Sequence, residues 1–156
     1  RNIDTQAYTT HNLGMQKAHA MAVALNLKSP PTNYYPIDAK IESVDHVNGI
    51  VGDDDALIID CFDNTESRGF VHGKNCLHVG FSPQYTAEMI WDETYSVPND
   101  IPEDQDDICD MTEAIPFINF IVSLACMNVS QFLDNGDKVD MLVTNKVKIR
   151  YLRRGK

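Results

Sequence analysis

The sequence predicts an α/β fold, in which a mainly parallel sheet is flanked by helices and antiparallel strands are added toward the carboxyl terminus. Two apolar runs, 56–62 (ALIIDCF) and 76–82 (CLHVGFS), have the length and composition of buried strands. The polar stretch 64–75 between them is typical of a short helix, with Asn64 or Thr65 near its N-cap. Strand, helix and strand in this order predict a parallel pair joined by a right-handed crossover.

Composition limits the class of protein and its partners. The chain has 156 residues, 43% hydrophobic and 23% charged, which suits one domain over residues 1–156 with a sizeable core. Its 23 acidic and 13 basic residues give a net charge of −10, which disfavours nucleic acid and anionic membranes as partners. The basic stretch 146–156 is predicted to be an edge strand running into a solvated tail.

Cysteine spacing and apolar runs bear on the compartment. The four cysteines form no C-x-x-C pair, which predicts neither a zinc site nor a disulfide framework and favours a reducing compartment. The chain opens without an apolar signal-type run, and no run reaches the about eighteen consecutive apolar residues of a membrane span. We therefore expect a cytoplasmic protein with no membrane partner.

The first third of the chain is predicted to be helical at two places. Apolar residues recur at helical spacing in 11–27, and the tandem prolines Pro30 and Pro31 then end that helix and lead into a short strand. The segment 39–55 is typical of a small helix followed by a polar loop.

The second half changes character. Segment 87–98 resembles two short antiparallel strands, and the acidic 99–110 is a predicted loop. The longest apolar helical segment, 111–136, ends with Asn135-Gly136 as its C-cap. The final stretch, 139–152, predicts a hairpin around Thr144-Asn145.

Several single residues carry structural expectations. Asp60 is expected to hydrogen-bond the backbone near the strand end, and Arg68 to pair with neighbouring acids. His78 is expected as a hydrogen-bonded core histidine, and Trp91 as a packing residue of its strand. The remaining expectation is that three cysteines in apolar runs lie in the core: Cys61, Cys76 and Cys126.

Five segments in this order resemble the adenylyltransferase family of ThiF, MoeB and HesA, relatives of the ubiquitin-activating enzymes. They are NIDTQ (2–6), LGMQKA (13–18), LIIDCFDNTESR (57–68), CLHVGFS (76–82) and a cysteine, Cys109, before a long apolar helix. In that family N-L-x-R-Q, G-x-x-K-A and D-x-x-D-N-x-x-x-R segments surround ATP. The resemblance implies a Rossmann-like fold and a site for ATP and magnesium.

The resemblance also implies roles for single residues. Lys17 would reach the polyphosphate as a mobile point charge, although a solvated helix lysine is the plain alternative. Asp63 would contact magnesium and phosphates, for which carboxylate oxygen is a suitable ligand. Asn2 and Gln6 would hold the loop or contact phosphate oxygens, and Asn64 would either cap the next helix or touch the nucleotide.

Cys109 matches the position at which some members of the family carry a cysteine that takes the activated group. A helix N-terminus favours its thiolate, whereas Asp106, Asp107 and Asp110 oppose deprotonation. The alternative is a small buried residue that locks the loop onto the helix.

Two departures from the family pattern leave two functions open. Thr5 stands where the family carries an arginine, and no G-x-G-x-x-G turn precedes Arg1, so we expect the chain to match the carboxyl-terminal two thirds of the fold. One function is activation of a carboxylate as its adenylate by a homodimeric enzyme. The carboxylate is typically the C-terminal glycine of a ubiquitin-like or sulfur-carrier protein. The alternative is a non-catalytic binding module that has lost ATP.

Overall fold

The chain forms two compact units, Arg1–Lys40 and Ile41–Lys156. The structure, a computed structural model, describes residues 8–28, 33–52, 55–82, 84–100, 111–146 and 148–152. The expectation of one domain over 1–156 stays a prediction.

The first unit contains the predicted long helix in shortened form. A 3₁₀ turn at Thr10–Asn12 precedes helix α1, Lys17–Lys28. Gly14 adopts a φ of 84°, a left-handed conformation that separates the turn from the helix. Residues 33–40 contain no strand, so the short strand predicted after the prolines is wrong for this part of the chain.

The second unit is a mixed α/β structure built around a five-stranded sheet in the order β1-β2-β3-β4-β5. The β1–β2 pair is parallel, and the other three pairs are antiparallel. The predicted α/β class and the added antiparallel strands are thereby confirmed, whereas the parallel character predicted for most of the sheet is limited to one of the four described strand pairs. The elements are α2 (Val44–Val51), β1 (Ile58–Asp60), α3 (Thr65–Val71), β2 (Cys76–Ser82), β3 (Thr86–Trp91), α4 (Ile115–Asn135), β4 (Asp140–Thr144) and β5 (Lys148–Leu152).

The β1–α3–β2 unit agrees with the sequence prediction. Asp60 is the last residue of β1 and lies opposite His78 of β2 in the parallel register. Asn64 caps α3, because its side-chain oxygen accepts a hydrogen bond from the Ser67 N–H at 2.8 Å. The carboxyl end of β1 and the start of α3 are therefore joined by residues 61–64.

The prediction of two strands in 87–98 is wrong, because β3 ends at Trp91 and a 3₁₀ turn follows at Asp92–Thr94. The cause lies in β4. The Asp140 carboxylate accepts the Trp91 N–H at 2.8 Å and the Thr94 hydroxyl at 2.7 Å. The Asp140 carboxylate thus binds the Trp91 N–H, which would otherwise be free to extend the pairing of β3 with a neighbouring strand. The chain turns away from the sheet at this point.

The long helix and the final hairpin are confirmed. Pro116 lies in the first turn of α4, where its missing N–H removes no helical hydrogen bond. Gly136 ends the helix with a φ of 78°, and its N–H donates to the Phe132 carbonyl. Strands β4 and β5 pair around Thr144-Asn145.

Helix α4 packs on one face of the sheet, and α2 and α3 pack on the other. The cluster on the α4 face comprises Leu77, Val79, Ala87, Met89, Trp91, Ile121, Ala125, Met141 and Val143. The cluster on the opposite face comprises Val47, Val71 and Cys76, with Ile41, Val51, Ile58, Phe62 and Phe70 packed against it.

By length and composition alone, the segment Thr112–Asn135 is apolar enough to cross a membrane, a property shared with core helices of soluble proteins.

Two of the three cysteine expectations fail. Cys76 is buried as predicted, but Cys61 and Cys126 are exposed. Cys61 follows the last residue of β1, and Cys126 is exposed in α4 next to the buried Ala125. An apolar run in sequence does not specify which of its members face solvent.

Asn128 joins α4 to the sheet through one buried and one partly buried hydrogen bond. Its side chain accepts the Trp91 indole N–H at 3.3 Å and donates to the Val139 carbonyl at 2.7 Å. Trp91 is fully buried, as expected of a packing residue. The amide is therefore a structural residue, although it begins an N-x-S sequon.

We predict that Asn128→Ala lowers the free energy of unfolding by about 1–3 kcal/mol, because it leaves the buried Trp91 indole N–H and the partly buried Val139 carbonyl without their partner. Urea unfolding followed by tryptophan fluorescence measures the change. Ser130→Ala is the control, since Ser130 is exposed on the same helix. Equal stability of the two variants would contradict this role of Asn128.

Candidate functional site

The Asp60 carboxylate is the centre of a buried polar network at the carboxyl end of β1. Its Oδ1 accepts the Phe62 N–H at 2.7 Å. Its Oδ2 accepts hydrogen bonds from Arg68 Nη1 at 3.3 Å and His78 Nδ1 at 2.7 Å. The expected backbone bond of Asp60, the ion pair of Arg68 and the core position of His78 are all confirmed.

Arg68 extends the network from α3 to two further elements. Its guanidinium donates to the Tyr95 hydroxyl at 3.1 Å and to the Val79 carbonyl at 3.2 Å. The Tyr95 ring stacks on the His78 ring, with centroids 3.6 Å apart and planes inclined by 7°. Burial raises the pKa of the Tyr95 hydroxyl, although the hydrogen bond from Arg68 opposes that shift. These contacts fix the plane of the His78 ring.

Asp92, in the turn after β3, binds the other side of His78. Its Oδ1 lies 3.0 Å from His78 Nε2 and 2.9 Å from His72 Nδ1. The Gly73 N–H donates to both oxygens of this carboxylate at 2.9 Å. Burial opposes ionisation of Asp92, but the hydrogen bonds from His78, Gly73 and His72 outweigh it and lower the pKa of the carboxyl group.

The His78 ring therefore lies between two carboxylates. An ionised carboxylate only accepts hydrogen bonds, so the ring satisfies both partners by donating from both nitrogens. In that state the two cations, His78 and Arg68, balance the two anions, Asp60 and Asp92. Mutual pairing of this kind allows the charged side chains to be buried.

Asp63 differs from Asp60 in being exposed. Its carboxylate accepts a hydrogen bond from the Asn64 side-chain amide at 3.0 Å. Asn64 thus caps α3 with its oxygen and contacts Asp63 with its nitrogen. The capping alternative for Asn64 is confirmed, and Asp63 presents its charge to solvent next to the strand end.

The start of α3 is also bound to the segment that follows Tyr95. The Thr65 N–H donates to Asp100 Oδ1 at 2.5 Å, and its hydroxyl donates to the Pro98 carbonyl at 2.6 Å. The hydrogen bond from the Thr65 N–H lowers the pKa of Asp100. Asp100 is therefore held by Thr65, which is two residues from Asp63 in the sequence. The acidic segment 101–110 begins directly after Asp100.

The remaining residues implied by the family resemblance are only partly described. Lys17 is exposed at the first position of α1, in the first unit, whereas Asp63 belongs to the second. Asn2, Gln6 and Cys109 lie outside the described residues. Their grouping around a nucleotide stays a prediction.

Sequence reasoning missed the partners of His78 on the far side of the ring. Asp92 and Tyr95 lie in the segment 87–98, which was predicted to form two strands, and His72 and His78 do not have the spacing of a zinc motif along the chain. Pairing of β2 with β3 places these side chains together across 14 to 20 residues of sequence. The sequence offered one signal for Asp92, which is an acid that directly follows the mostly apolar stretch ending at Trp91.

No protein-family model matches the sequence, and no curated protein matches it.

We predict that Asp60→Asn costs about 3–5 kcal/mol of unfolding free energy, because it leaves the buried groups of Arg68 and His78 without their shared anion. Asp63→Asn is the matched control and is expected to stay within about 0.5 kcal/mol of the parent protein. Chemical denaturation at pH 7 compares the two. A comparable loss in both variants would refute the assignment of Asp60 as the structural acid.

Thiol reactivity provides a second prediction. Burial, reinforced by the charge of Asp60, raises the pKa of Cys76 to about 12, and its side chain is inaccessible. Because the thiolate is the nucleophile, iodoacetamide at pH 8 is expected to modify the exposed Cys126 at least about a hundredfold faster than Cys76. Peptide mass spectrometry over time measures both rates. Similar rates in the folded protein would be inconsistent with this burial.

Proposed function

We propose that the chain is a ThiF-type adenylyltransferase domain of Rossmann-like character. In this proposal it binds ATP and magnesium and transfers AMP to a carboxylate, typically the C-terminal glycine of a ubiquitin-like or sulfur-carrier protein. The supporting observation concerns the four residues of the D-x-x-D-N-x-x-x-R segment, 60–68, that match the family motif. Three of them make contacts that stabilise the fold, whereas the fourth, Asp63, is exposed to solvent.

The argument starts from what each side chain already does. Asp60 and Arg68 form the buried pair, and Asn64 caps α3. The Asp63 carboxylate takes no part in the Asp60–Arg68 pair or in the cap of α3. Its position is nevertheless fixed, because β1 ends just before it and the capped helix α3 begins just after it. The carboxyl end of a parallel strand is where open α/β sheets bind ligands. A fixed, exposed carboxylate at this edge suits a magnesium ligand.

The proposed reaction is largely electrostatic. A carboxylate oxygen of the acceptor attacks the α-phosphorus of ATP, and the bond from that phosphorus to the bridging oxygen of pyrophosphate breaks. Magnesium held near Asp63 would neutralise the charge that develops on the leaving pyrophosphate, and the family resemblance gives the ammonium of Lys17 a phosphate-binding role. By the same resemblance Asn2 and Gln6 would contact phosphate oxygens. The Cys109 thiolate would then attack the acyl carbon of the adenylate, forming a thioester as the bond to AMP breaks and AMP leaves. A cytoplasmic homodimer is part of the same proposal.

The second candidate is a binding module that retains the fold and no longer uses ATP. Thr5 favours it, because the family arginine at this position neutralises phosphate charge and a threonine cannot. Such a module would recognise the tail of a carrier protein with an affinity independent of ATP. The two candidates therefore differ in whether the chain binds the nucleotide.

We predict that the protein binds ATP with magnesium saturably and that Asp63→Asn weakens binding at least about tenfold, or about 1.4 kcal/mol. The charge of Asp63 would be lost without a change in side-chain size. Isothermal titration calorimetry measures both affinities. Asp137→Asn is the control, since Asp137 is exposed in the turn before β4 and is expected to leave the affinity unchanged.

Two results would contradict the proposal. Absence of ATP binding by the folded parent protein would exclude adenylation by this chain and favour the binding module. Equal affinity of Asp63→Asn and the parent protein would show that the nucleotide binds elsewhere.

A further inference from the structure

Three nitrogen and oxygen donors converge at the junction of α3, β2 and β3. They are His72 Nδ1, His78 Nε2 and a carboxylate oxygen of Asp92, and all lie within 4.8 Å of one another. Each ring nitrogen is 2.9–3.0 Å from the same atom, Asp92 Oδ1. The three residues come from the end of a helix, the middle of a strand and the turn after a strand, so the fold itself brings them together.

We propose that this cluster is a binding site for one divalent transition-metal ion of the zinc class. Two imidazoles and one carboxylate suit zinc, cobalt or nickel, whereas magnesium prefers oxygen ligands alone. The proposal concerns residues other than Lys17 and Asp63 and does not depend on the proposed adenylyltransferase activity.

Two of the three ligand distances are close to those around a bound metal. Ligands bound tetrahedrally at about 2.0–2.1 Å from zinc lie about 3.3 Å apart. The two nitrogen–oxygen pairs therefore need to lengthen by only about 0.4 Å from their present hydrogen-bond distances. The two ring nitrogens lie within 4.8 Å of each other and must also reach about 3.3 Å, a change that would come from His72, whose side chain is half-exposed while that of His78 is buried.

The surroundings of His78 are those of a supported metal ligand. Its other nitrogen, Nδ1, lies 2.7 Å from the buried Asp60 carboxylate, which holds a proton on Nδ1 and leaves Nε2 as the nitrogen that can lose its proton and coordinate. The stacked Tyr95 ring holds the plane of the imidazole. Asp92 is held in turn by the Gly73 N–H. A carboxylate–histidine–metal arrangement of this kind orients the ligand and raises its basicity.

Proton balance follows from these contacts. When the ion binds, the three donors form bonds to it, and the His78 ring releases its Nε2 proton to solvent while its Nδ1 proton stays on the bond to Asp60. The proton that His72 Nδ1 donates to Asp92 leaves to solvent when Nδ1 coordinates, and a neutral ring takes up a solvent proton on Nε2. Three protein ligands leave the fourth tetrahedral position to a water molecule.

The test uses chelator-treated protein titrated with Co²⁺ and, separately, with Zn²⁺. We expect one equivalent of Co²⁺ to bind and to give a visible d–d absorption band without the near-ultraviolet band of a cobalt–thiolate bond. His72→Ala is expected to weaken binding more than about tenfold, the smallest cost typical of losing a supporting residue around a metal. His19→Ala is the matched control, because His19 is an exposed histidine in α1.

Imidazole NMR signals provide a second readout that needs no variant. Addition of Zn²⁺ is expected to shift the ring signals of His72 and His78 while leaving those of His11 and His19 unchanged. Binding that His72→Ala leaves intact, a thiolate band, or ring signals that do not respond would each overturn the proposal.

Discussion

The position of the Asp60 carboxylate is the constraint on which the second unit depends. This side chain ends β1, receives the backbone of the following turn, and pairs with Arg68 from α3 and His78 from β2. A buried carboxylate requires such partners, since an unpaired one costs several kcal/mol. The parallel strand pair and its crossover helix are thus fastened to one another by charge as well as by the small apolar cluster around Val47, Val71 and Cys76.

The same constraint separates two acids that look alike in sequence. Asp60 has no charge to offer a ligand, because its oxygens are already occupied by three donors. Asp63 is held in place by its neighbours but faces solvent. The functional proposal depends on this difference, and the metal proposal depends on the other consequence of Asp60, which is the proton that it holds on His78 Nδ1.

Local patterns were sufficient for most of the fold. The apolar runs, the Asn64 cap, the Gly136 C-cap and the hairpin around Thr144-Asn145 all act within a few residues of where they appear, so the sequence shows them directly. The end of β3 could not be foreseen, because the Asp140 side chain that causes it lies 49 residues away from Trp91. Exposure of Cys61 and Cys126 was missed because periodicity within a short apolar run does not identify the solvent side.

The candidate sites were predictable to different degrees. Asp60, Arg68 and His78 were each given a structural role that the contacts confirm, but their union in one network required the β1–β2 register. His72 and Asp92 join the network only through the pairing of β2 with β3, which no spacing along the chain reveals. Lys17 and Asp63 were drawn from the family resemblance, and a nucleotide-binding role for each is still a proposal.

The central claim is that, at the end of β1, Asp60 stabilises the fold and Asp63 binds a ligand. Paramagnetic line broadening tests this claim most directly. Manganese is added with excess ATP to isotopically labelled protein, and backbone amide signals are recorded. The account predicts selective broadening at Asp63, Asn64 and Thr65, with the signal of Asp137 unaffected. Unbroadened signals at all three residues, or broadening confined to His72 and Asp92, would contradict it.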